Sequence, residues 1–512
     1  MTTTPKPKRR RHTRRRALPS GIQQPPWQSI RNPYPPAQIL SPDALEDIHH
    51  ASLTILEQIG IEILLPEAAE YFRRAGAHVT GTPARVTFEP ELIEALVAQA
   101  PSHITVHARN PERHVRLGGD CVAFGLVASA PNVTDIDKGR RTGNRHDFCQ
   151  LLKLGQTFNI IHVIGGYPVE PVDLPPPTRH LDAISDMLLL TDKAIHAYSL
   201  GRERILDGIE MARIARGIDQ ATFDREPSLF TVINANSPLR YDRPMLWGII
   251  EMAKRNQLVV VTPFTLAGAM SPITVAGSLA QQNAEALAGI ALCQIVRSGS
   301  PVMYGGFTSN ADMRSGAPAF GTPEYLKAAQ ISGQLARRYR IPYRSSNVNS
   351  ANSVDAQAAY ESVFSLWGAI SGKAHLIKHG AGWLEGGLSA SYEKVVLDAD
   401  LLQMVAAYLE PIRTDSESLA LDAIREVGPG GHFFGTAHTQ ERFENAFYQP
   451  MISDWRNFES WQEAGSPGAL QHANALYKTA LSQYTQPPMD SAIRDELADY
   501  VARRKAQGGV RD

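Results

Sequence analysis

The chain has 512 residues, of which 43% are hydrophobic and 20% charged, and its formal net charge at pH 7 is −1. These values are typical of a globular protein. No stretch approaches the ~20 uninterrupted apolar residues that a membrane-spanning helix requires. The three cysteines are scattered and form no C-x-x-C pair, so we expect no disulfide framework and a cytoplasmic location.

The first residues form a basic segment. Eight lysines and arginines, and no acidic residue, lie between Lys6 and Arg16. Because residues 1–38 are also rich in proline, we predict a disordered arm. A basic arm can bind polyanions, but no stacking aromatic residues interleave these charges, and we do not expect nucleic acid as a partner. The segment also lacks the apolar region of a secretory signal.

Residues 39–120 predict a small N-terminal α+β cap. Ser41-Pro42 is typical of a helix start, and the helical pattern continues to Gly60. A second helix is predicted over residues 90–99. Short strands are indicated around four β-branched residues: Val79, Val86, Ile104 and Val106. We interpret this module as a cap over one end of the domain that follows.

Residues 121–410 repeat one unit eight times: a short β-branched run, a loop with polar residues or glycines, and an amphipathic helix. The predicted strands are Val122–Val127, Ile160–Gly165, Ala194–Leu200, Leu229–Asn234, Leu258–Pro263, Pro301–Gly306, Pro342–Asn347 and His375–His379. Their starts are about 29–43 residues apart, which is the length of a strand–helix unit. Eight units predict an α/β fold, a closed (β/α)8 or TIM barrel, whose chemistry lies at the carboxyl ends of the strands.

Several barrel helices have a recognisable start. Ser271-Pro272 and Thr322-Pro323 predict helices over Pro272–Val296 and Pro323–Tyr339. The eighth barrel helix is predicted over Leu388–Leu409. We expect residues 411–512 to form a C-terminal extension that contains further helices.

Aromatic residues and glycines follow the fifth, sixth and eighth predicted strands. A quaternary ammonium cannot donate hydrogen bonds, so aromatic faces and a nearby negative charge are the main means of holding it. We therefore predict a box for an organic cation, with Glu385 as its carboxylate. The predicted substrate-binding residues are Phe264, Tyr304, Phe307, Trp383, Tyr392 and His379. Packing inside the barrel is the alternative role for some of these aromatic residues.

The seventh predicted strand leads into a run of small polar residues, which is poor material for a core. We predict that this run is a ligand-facing loop or a hinge loop, and we assign catalytic roles to Asn347 and Asn349 beside Glu385. Glycines let a ligand approach the backbone closely. The predicted cofactor-binding residues are Gly305, Gly306, Asn310 and Val348. No H-E-x-x-H, G-x-S-x-G or P-loop pattern is present, and no metal site is predicted.

Several segments together resemble the trimethylamine methyltransferase family. They are the Arg-rich start, the helix after Ser41-Pro42, GGFTSNADMRSG at 305–316, DAQAAYE at 355–361, GAGWLEGG at 380–387 and EVGPGGHF at 426–433. The resemblance covers residues 8–500. It implies a (β/α)8 barrel that passes a methyl group from an amine or quaternary amine to the cobalt of a corrinoid. The resemblance also implies that a separate small protein, and not this chain, holds the corrinoid (cobalamin).

One departure from the family bears on the substrate. Members specific for trimethylamine carry pyrrolysine in the loop after the seventh strand. Aligned on Asp355–Ala358, that position falls near Val348, where the sequence has only ordinary residues. A quaternary ammonium that loses a methyl group expels a neutral tertiary amine, so it needs positioning and not covalent activation. We therefore expect a quaternary amine such as glycine betaine as the methyl donor.

Other functions stay open at this point. The methyl donor could be trimethylamine or another methylamine. The chain could be a barrel lyase or aldolase that uses Lys378 and His379, or a protein that binds quaternary amines without catalysis. The expected partners are a small corrinoid protein and the amine substrate, with no membrane, and we expect a homo-oligomer.

Overall fold

The computed structural model describes residues 22–510. The charged part of the predicted basic arm lies outside these residues. Residues 22–38 lie against the barrel. Ile30–Arg31 form a short strand antiparallel to Cys121–Leu126, and the Gln24 side chain donates a hydrogen bond to the Thr157 carbonyl. Residues 22–38 of the predicted arm therefore contact the barrel.

Eight parallel strands form a closed barrel. They follow one another round the barrel in chain order, and the eighth strand pairs with the first. The barrel strands one to eight are Cys121–Leu126, Val163–Ile164, Ala194–His196, Leu229–Ile233, Leu258–Val261, Val302–Gly305, Tyr343–Ser346 and Leu376–Ala381. Each overlaps one of the predicted β-branched runs, so the predicted (β/α)8 barrel is confirmed.

A helix follows each barrel strand. Barrel helices one to eight are Arg145–Thr157, Arg179–Leu190, Arg202–Arg216, Arg243–Lys254, Val275–Val296, Pro323–Arg338, Ala356–Ser371 and Tyr392–Tyr408. Side chains at several of their N-terminal ends accept hydrogen bonds from backbone N–H groups that have no partner within the helix. Thr322 accepts from the N–H of Tyr325 in this way, which confirms the predicted start of barrel helix six.

Two predicted helix starts are wrong. Barrel helix five begins at Val275 and not after Ser271, because the Thr274 side chain caps it. Barrel helix eight begins at Tyr392, because Ser389–Ser391 form a strand before it. In both places the loop after the barrel strand includes residues that the sequence pattern assigned to the helix.

The N-terminal residues form two structures. Helices Pro42–Thr54, Pro66–Arg74 and Pro90–Val97 pack against barrel helix five. A small sheet accompanies them: Ile61–Ile63, His78–Thr80, Ala84–Thr87 and Arg240–Tyr241. The first helix starts after the Ser41 cap, and a π-helical turn extends it to Gly60. Its start and its end agree with the prediction. A hairpin of Ile104–Val106 and Val115–Leu117 instead packs against the N-terminal ends of the barrel strands.

The C-terminal residues lie outside the barrel. Ala469–Ser482 packs on barrel helices eight and one, and Ser491–Ala506 packs on barrel helices three and two. Shorter helices precede them: Ser416–Leu419, Leu421–Val427, Ala437–Arg442 and Phe458–Glu463. Within residues 22–510, no helix is both long enough and apolar enough to cross a membrane.

Two small sheets extend the carboxyl end of the barrel. One contains Phe264–Ala267, Phe307–Ala311 and Pro318–Ala319, in the loops after barrel strands five and six. The other contains Asn132–Thr134, Arg141–Thr142, Trp383–Leu384 and Ser389–Ser391, in the loops after barrel strands one and eight. These sheets hold the strand-end loops as structured walls of the barrel mouth.

The barrel interior has an apolar layer and, nearer the mouth, a polar layer. The apolar layer next to the hairpin contains Ala123, Val163, Ala194, Phe230, Leu258, Val260, Met303 and Leu376. Residues two apart on a strand face the same side. His196 and Lys378 therefore point into the barrel one step above Ala194 and Leu376.

Phe230 offers a test of the apolar layer. It is 1% exposed, and Phe230→Ala removes a packed ring that the closed barrel cannot easily refill. We expect the free energy of unfolding to fall by about 3–5 kcal/mol, measured by urea denaturation. Phe458, which is 63% exposed, provides the control, because Phe458→Ala should change stability by less than about 1 kcal/mol. Equal effects of the two substitutions would contradict this packing.

Candidate active site

Four aromatic side chains converge at the barrel mouth, and we call them the aromatic wall: Phe264, Phe307, Phe320 and Trp383. Phe264 and Phe307 begin two paired strands, and their ring centroids are 5.2 Å apart. Phe320 stacks on Phe307 at 5.6 Å. Trp383 meets Phe307 and Phe320 edge-on at 6.4 and 6.2 Å. These separations are those of packed aromatic pairs, so the wall is one continuous apolar surface.

The structure brings together three wall residues that the sequence predicted, Phe264, Phe307 and Trp383. Sequence reasoning missed Phe320. This residue lies far along the loop after barrel strand six, two residues before the Thr322 helix cap. An aromatic residue within a strand-end loop was the available signal.

Arg344 and Lys378 lie inside the barrel next to the aromatic wall. They are 2% and 3% exposed, and within residues 22–510 the charges that act on them come from each other and from tyrosines. The guanidinium carbon of Arg344 lies 5.0 Å from the Phe307 ring centroid, and its Nε and Nη1 atoms have no hydrogen-bond partner. With the buried His196 and His379, they form what we call the buried basic cluster.

Burial disfavours the charged forms of this cluster. It lowers the pKa of Arg344 to about 10, against the opposing effect of Tyr325 and Tyr343. Burial, and then the Arg344 charge, hold the pKa of Lys378 well below its usual value. Burial, followed by the Lys378 charge, also lowers the pKa of His379. A buried charge without a partner costs free energy, so the cluster is suited to a ligand that carries a negative charge.

Barrel strand eight is irregular near its carboxyl end, just before the turn that carries Trp383. His379 has a φ of +55°, a left-handed conformation that non-glycine residues adopt mainly where the surrounding structure enforces it. Its ring centroid lies 4.3 Å from that of Trp383. The N–H of Gly382 donates to Asp398 at 2.9 Å, and Asp398 forms a fully buried ion pair with Lys394. Barrel helix eight therefore fixes the turn from behind.

Asn347 and Asn349 connect the loops after barrel strands seven and eight. The Asn347 amide donates to the carbonyl of Gly380 at 2.9 Å, and the Asn349 amide donates to that of Trp383 at 2.7 Å. The Trp383 indole donates in return to the Asn349 carbonyl at 3.1 Å. Among the described residues, the Oδ1 atoms of both asparagines are buried without a hydrogen-bond partner. Two such acceptors in one loop agree with a surface that faces a ligand.

Glu385 is not placed as the predicted partner of a bound cation. Its carboxylate accepts from Nε of Arg140, in the loop after barrel strand one, at 2.9 and 3.1 Å. The Glu385 side chain is 12% exposed and that of Arg140 52% exposed. The charge of Glu385 is therefore already neutralised at the rim of the mouth, and a catalytic role for this carboxylate is not supported.

Tyr304 and Tyr392 do not face the mouth, so the structure does not bring them to the predicted substrate site. Tyr304 lies between the inward positions of barrel strand six and therefore points outward. Its hydroxyl donates to Asn283 at 3.1 Å, on barrel helix five. The Tyr392 hydroxyl donates to Asp147 at 2.8 Å, on barrel helix one, and its ring packs on Tyr477.

The residues predicted to bind a cofactor have packing roles. A Cβ on Gly305 would lie 2.0 Å from Oγ1 of Thr262, and one on Gly306 would lie 2.7 Å from Ser332, so close packing requires both glycines. Val348 is fully buried, and its carbonyl accepts from Ser365. The Asn310 side chain accepts from the Thr322 hydroxyl, beside the cap of barrel helix six. Across residues 22–510, no group of three His, Cys, Asp or Glu could hold a metal ion.

The model of the trimethylamine methyltransferase (MTTB) family matches residues 6–509. The chain belongs to this family. Glycine betaine methyltransferase of Desulfitobacterium hafniense strain Y51 is 36% identical over 93% of this chain and 98% of that protein. Trimethylamine methyltransferase MttB of D. hafniense strain DSM 10664 / DCB-2 is 29% identical over 92% of this chain and 94% of that protein. The protein is therefore a methyltransferase.

More distant proteins are also similar. Trimethylamine methyltransferase MttB1 of Methanosarcina mazei is 26% identical over 90% of this chain and 94% of that protein. A solved structure of phospho-2-dehydro-3-deoxyheptonate aldolase from Thermotoga maritima is 11% identical, with a TM-score of 0.33 over 74% of this chain and 96% of that chain. That score is too low to carry an argument about fold or function.

The ion pair between Glu385 and Arg140 allows a direct test of whether Glu385 acts on the substrate. Glu385→Gln removes a charge that already pairs with a half-exposed arginine, so we expect substrate use to change by less than about threefold and stability by less than about 1 kcal/mol. The matched control is Arg140→Gln, which breaks the same ion pair from its other side. If the KM for the methyl donor rises roughly tenfold or more in Glu385→Gln but not in Arg140→Gln, the result would support a contact between Glu385 and the substrate.

Proposed function

We propose that this methyltransferase takes a methyl group from a zwitterionic quaternary amine of the glycine betaine class and passes it to Co(I) of a corrinoid carried by a separate small protein. The observation that carries the proposal is the buried basic cluster beside the aromatic wall. One side of the site suits a carboxylate, and the other suits a quaternary ammonium. A betaine carries both groups in one small molecule, and the 36% identical relative is named a glycine betaine methyltransferase.

Arg344 and Lys378 are the proposed carboxylate ligands. Two donor nitrogens of Arg344 lack partners inside the protein, and charge-assisted hydrogen bonds to a carboxylate are about twice as strong as neutral ones. A bound carboxylate would also offset the free-energy cost of burying two cations together. An anionic group bound at this place would therefore lower the electrostatic free energy of the protein as well as its own.

The aromatic wall is the proposed ammonium site. An aromatic face contributes about 0.5–2 kcal/mol to the binding of a cation, and two rings of the wall lie against the basic cluster: Phe307 beside Arg344 and Trp383 beside His379. A cation without a carboxylate would meet Arg344 beside Phe307 and gain no compensating attraction. The site should therefore discriminate against choline and tetramethylammonium, which lack an anionic group.

The proposed methyl transfer requires little acid–base catalysis by the protein. When the methyl carbon leaves nitrogen, the electron pair of the broken C–N bond stays on the amine, which departs neutral and needs no proton. The docked corrinoid would supply the Co(I) nucleophile. The residues of this chain would hold the carboxylate, direct one N-methyl group toward the mouth and keep water away from the ammonium. Positioning of this kind can account for a large part of a rate enhancement.

The rim of the mouth suits a protein that delivers the corrinoid. Exposed large apolar side chains stand on the loops after six of the barrel strands: Ile136, Val172, Leu200, Ile273, Met313 and Leu388. Exposed apolar residues grouped around a site are typical of protein interfaces. We propose this rim as the docking surface, because the methyl acceptor must approach the substrate from the open end.

The proposal is tested by measuring methyl transfer to free cob(I)alamin, kept reduced under anaerobic conditions. We expect methylcobalamin to form with glycine betaine and not with choline, tetramethylammonium or trimethylamine. Transfer from trimethylamine at a comparable rate would overturn the assignment. Glycine betaine that binds in calorimetry but gives no methyl transfer, with cob(I)alamin or with a corrinoid protein, would instead support a binding protein.

Arg344 should determine the preference for a carboxylate. Arg344→Met keeps the length of the side chain and removes its charge, so we expect the KM for glycine betaine to rise roughly tenfold or more, about 1.4 kcal/mol. Discrimination against choline should fall at the same time. Arg140→Met, which removes an arginine at the rim, is the control and should leave this preference unchanged. An unchanged KM in a folded Arg344→Met variant would contradict the proposed carboxylate site.

Substrate binding should also depend on pH through Lys378. Only protonated Lys378 attracts a carboxylate, and its pKa in the free enzyme lies well below the usual lysine value. The KM for glycine betaine should therefore rise with pH before the ordinary lysine range near ~10.4 is reached. Because a bound carboxylate raises the pKa, binding should take up protons at these pH values, which calorimetry in buffers of different ionisation enthalpy measures. A KM that stays constant through the lysine range would contradict this role.

A further inference from the structure

Barrel helix five carries two neighbouring polar side chains that are fully buried, Gln282 and Asn283. A buried polar side chain is costly unless it is hydrogen-bonded. Asn283 donates to Ser52, on the helix Pro42–Thr54, at 2.9 Å and to the Tyr339 hydroxyl at 2.8 Å. Gln282 instead contacts the loop after barrel strand six, which carries part of the aromatic wall.

The side-chain oxygen of Gln282 holds the start of the strand Phe307–Ala311. Its Oε1 accepts from the backbone N–H of Phe307 at 3.2 Å and from the Thr308 hydroxyl at 2.6 Å. A backbone N–H can only donate, so this contact fixes which end of the Gln282 amide is the oxygen. Gln282 therefore holds the backbone from which the Phe307 ring of the aromatic wall projects.

The same oxygen is connected to the second strand of this small sheet. Thr308 and Thr265 are paired residues of the two strands, and their hydroxyls are in contact. A hydroxyl has one hydrogen to donate. Because the hydrogen of Thr308 goes to Gln282, Thr265 donates to Thr308. Phe264 and Phe307 immediately precede these threonines, so one side chain behind the sheet is linked to both strands that carry the paired rings.

The side-chain nitrogen of Gln282 fixes the amide from the other side. Its Nε2 donates to the hydroxyl of Ser332 at 3.1 Å and to that of Tyr304 at 3.2 Å. Ser332, on barrel helix six, packs so closely on Gly306 that a Cβ at Gly306 would lie 2.7 Å from it. Hydrogen bonds at both ends therefore hold the amide, and the position of its oxygen is fixed.

We propose that Gln282 is a positioning residue for the aromatic wall. It lies behind the wall and would not touch the substrate, but it holds the backbone of Phe307 and is linked to the strand of Phe264. Phe307 lies 5.0 Å from the guanidinium carbon of Arg344. A shift of this ring would change both the surface offered to an ammonium group and its distance from the carboxylate site. This role in substrate recognition rests on the proposed function.

A second glutamine of barrel helix five, Gln294, provides a matched control for a purely structural role. It is 2% exposed. Its Oε1 accepts from the N–H of Gly299 at 2.9 Å, and its Nε2 donates to the carbonyl of Ser300 at 3.0 Å. These two residues precede barrel strand six, whereas Phe307 follows it. Gln282→Met and Gln294→Met therefore remove the same kind of hydrogen bond at opposite ends of one strand.

The first test is the geometry of the wall in crystal structures of the two variants. Methionine has about the length of glutamine but cannot accept the Phe307 N–H, which is left without an acceptor. The Phe264 and Phe307 ring centroids are 5.2 Å apart. We expect the Phe307 ring to move by roughly 1 Å or more in Gln282→Met, enough to affect a reaction, and to stay in place in Gln294→Met. An unmoved ring in Gln282→Met would overturn the proposal.

The second test compares the binding of glycine betaine with that of 3,3-dimethylbutyrate, which has the same shape and carboxylate but no positive charge. Calorimetry gives the ratio of the two Kd values, and a loss of stability alone leaves this ratio unchanged. We expect Gln282→Met to lower the preference for glycine betaine roughly fivefold or more, within the range that an aromatic face contributes. Gln294→Met should leave the preference unchanged, and Gln282→Glu, which keeps an acceptor oxygen, should retain most of it.

The two tests separate this role from the proposed function. A preference that falls equally in Gln282→Met and Gln294→Met would show a structural role and overturn the proposal. A wild-type chain that binds neither compound would overturn the proposed function, whereas the position of the Phe307 ring would still decide whether Gln282 positions the wall. If Gln282→Met does not fold, Thr308→Val takes its place, because it removes the hydroxyl that links Gln282 to the strand of Phe264. An unmoved Phe264 ring in that variant would contradict the proposal.

Discussion

The burial of two basic side chains without an acidic partner among residues 22–510 is the constraint on which the candidate active site depends. Arg344 and Lys378 occupy strand positions whose side chains must point into the closed barrel, and each is almost fully buried. Removing an ion from water costs several kcal/mol even after relaxation, and the lowered pKa values of the Arg344 and Lys378 side chains express that cost. The fold therefore carries an electrostatic requirement that a bound anionic group would satisfy.

Barrel strands and hydrogen bonds hold this cluster and the aromatic wall in fixed positions relative to each other. Arg344 and Lys378 stand on barrel strands, and Phe264 and Phe307 begin the paired strands that extend the barrel. The turn that carries Trp383 is fixed by hydrogen bonds from the seventh loop and from barrel helix eight. The proposed methyl transfer expels a neutral amine and requires no general acid, so rigid placement is the main contribution that the protein would make.

The sequence predicted the barrel because each interior strand is a short β-branched run with a helix behind it. The strand pattern alone does not show which way a single side chain points, and alternation along barrel strand six directs Tyr304 toward barrel helix five and away from the mouth. The same alternation would have found Arg344 and Lys378, because charged residues within buried strands are rare. The Arg140–Glu385 pair could not be predicted, because it joins loops that are 245 residues apart in sequence.

The proposed docking surface at the mouth follows from the geometry of the barrel. Arg344 and Lys378 lie inside the closed barrel, and the aromatic wall stands at its carboxyl end. The proposed methyl acceptor would have to reach the substrate through this opening, because the hairpin of Ile104–Val106 and Val115–Leu117 covers the other end. On this view, the closed barrel uses its mouth both for the chemistry and for the delivery of the acceptor.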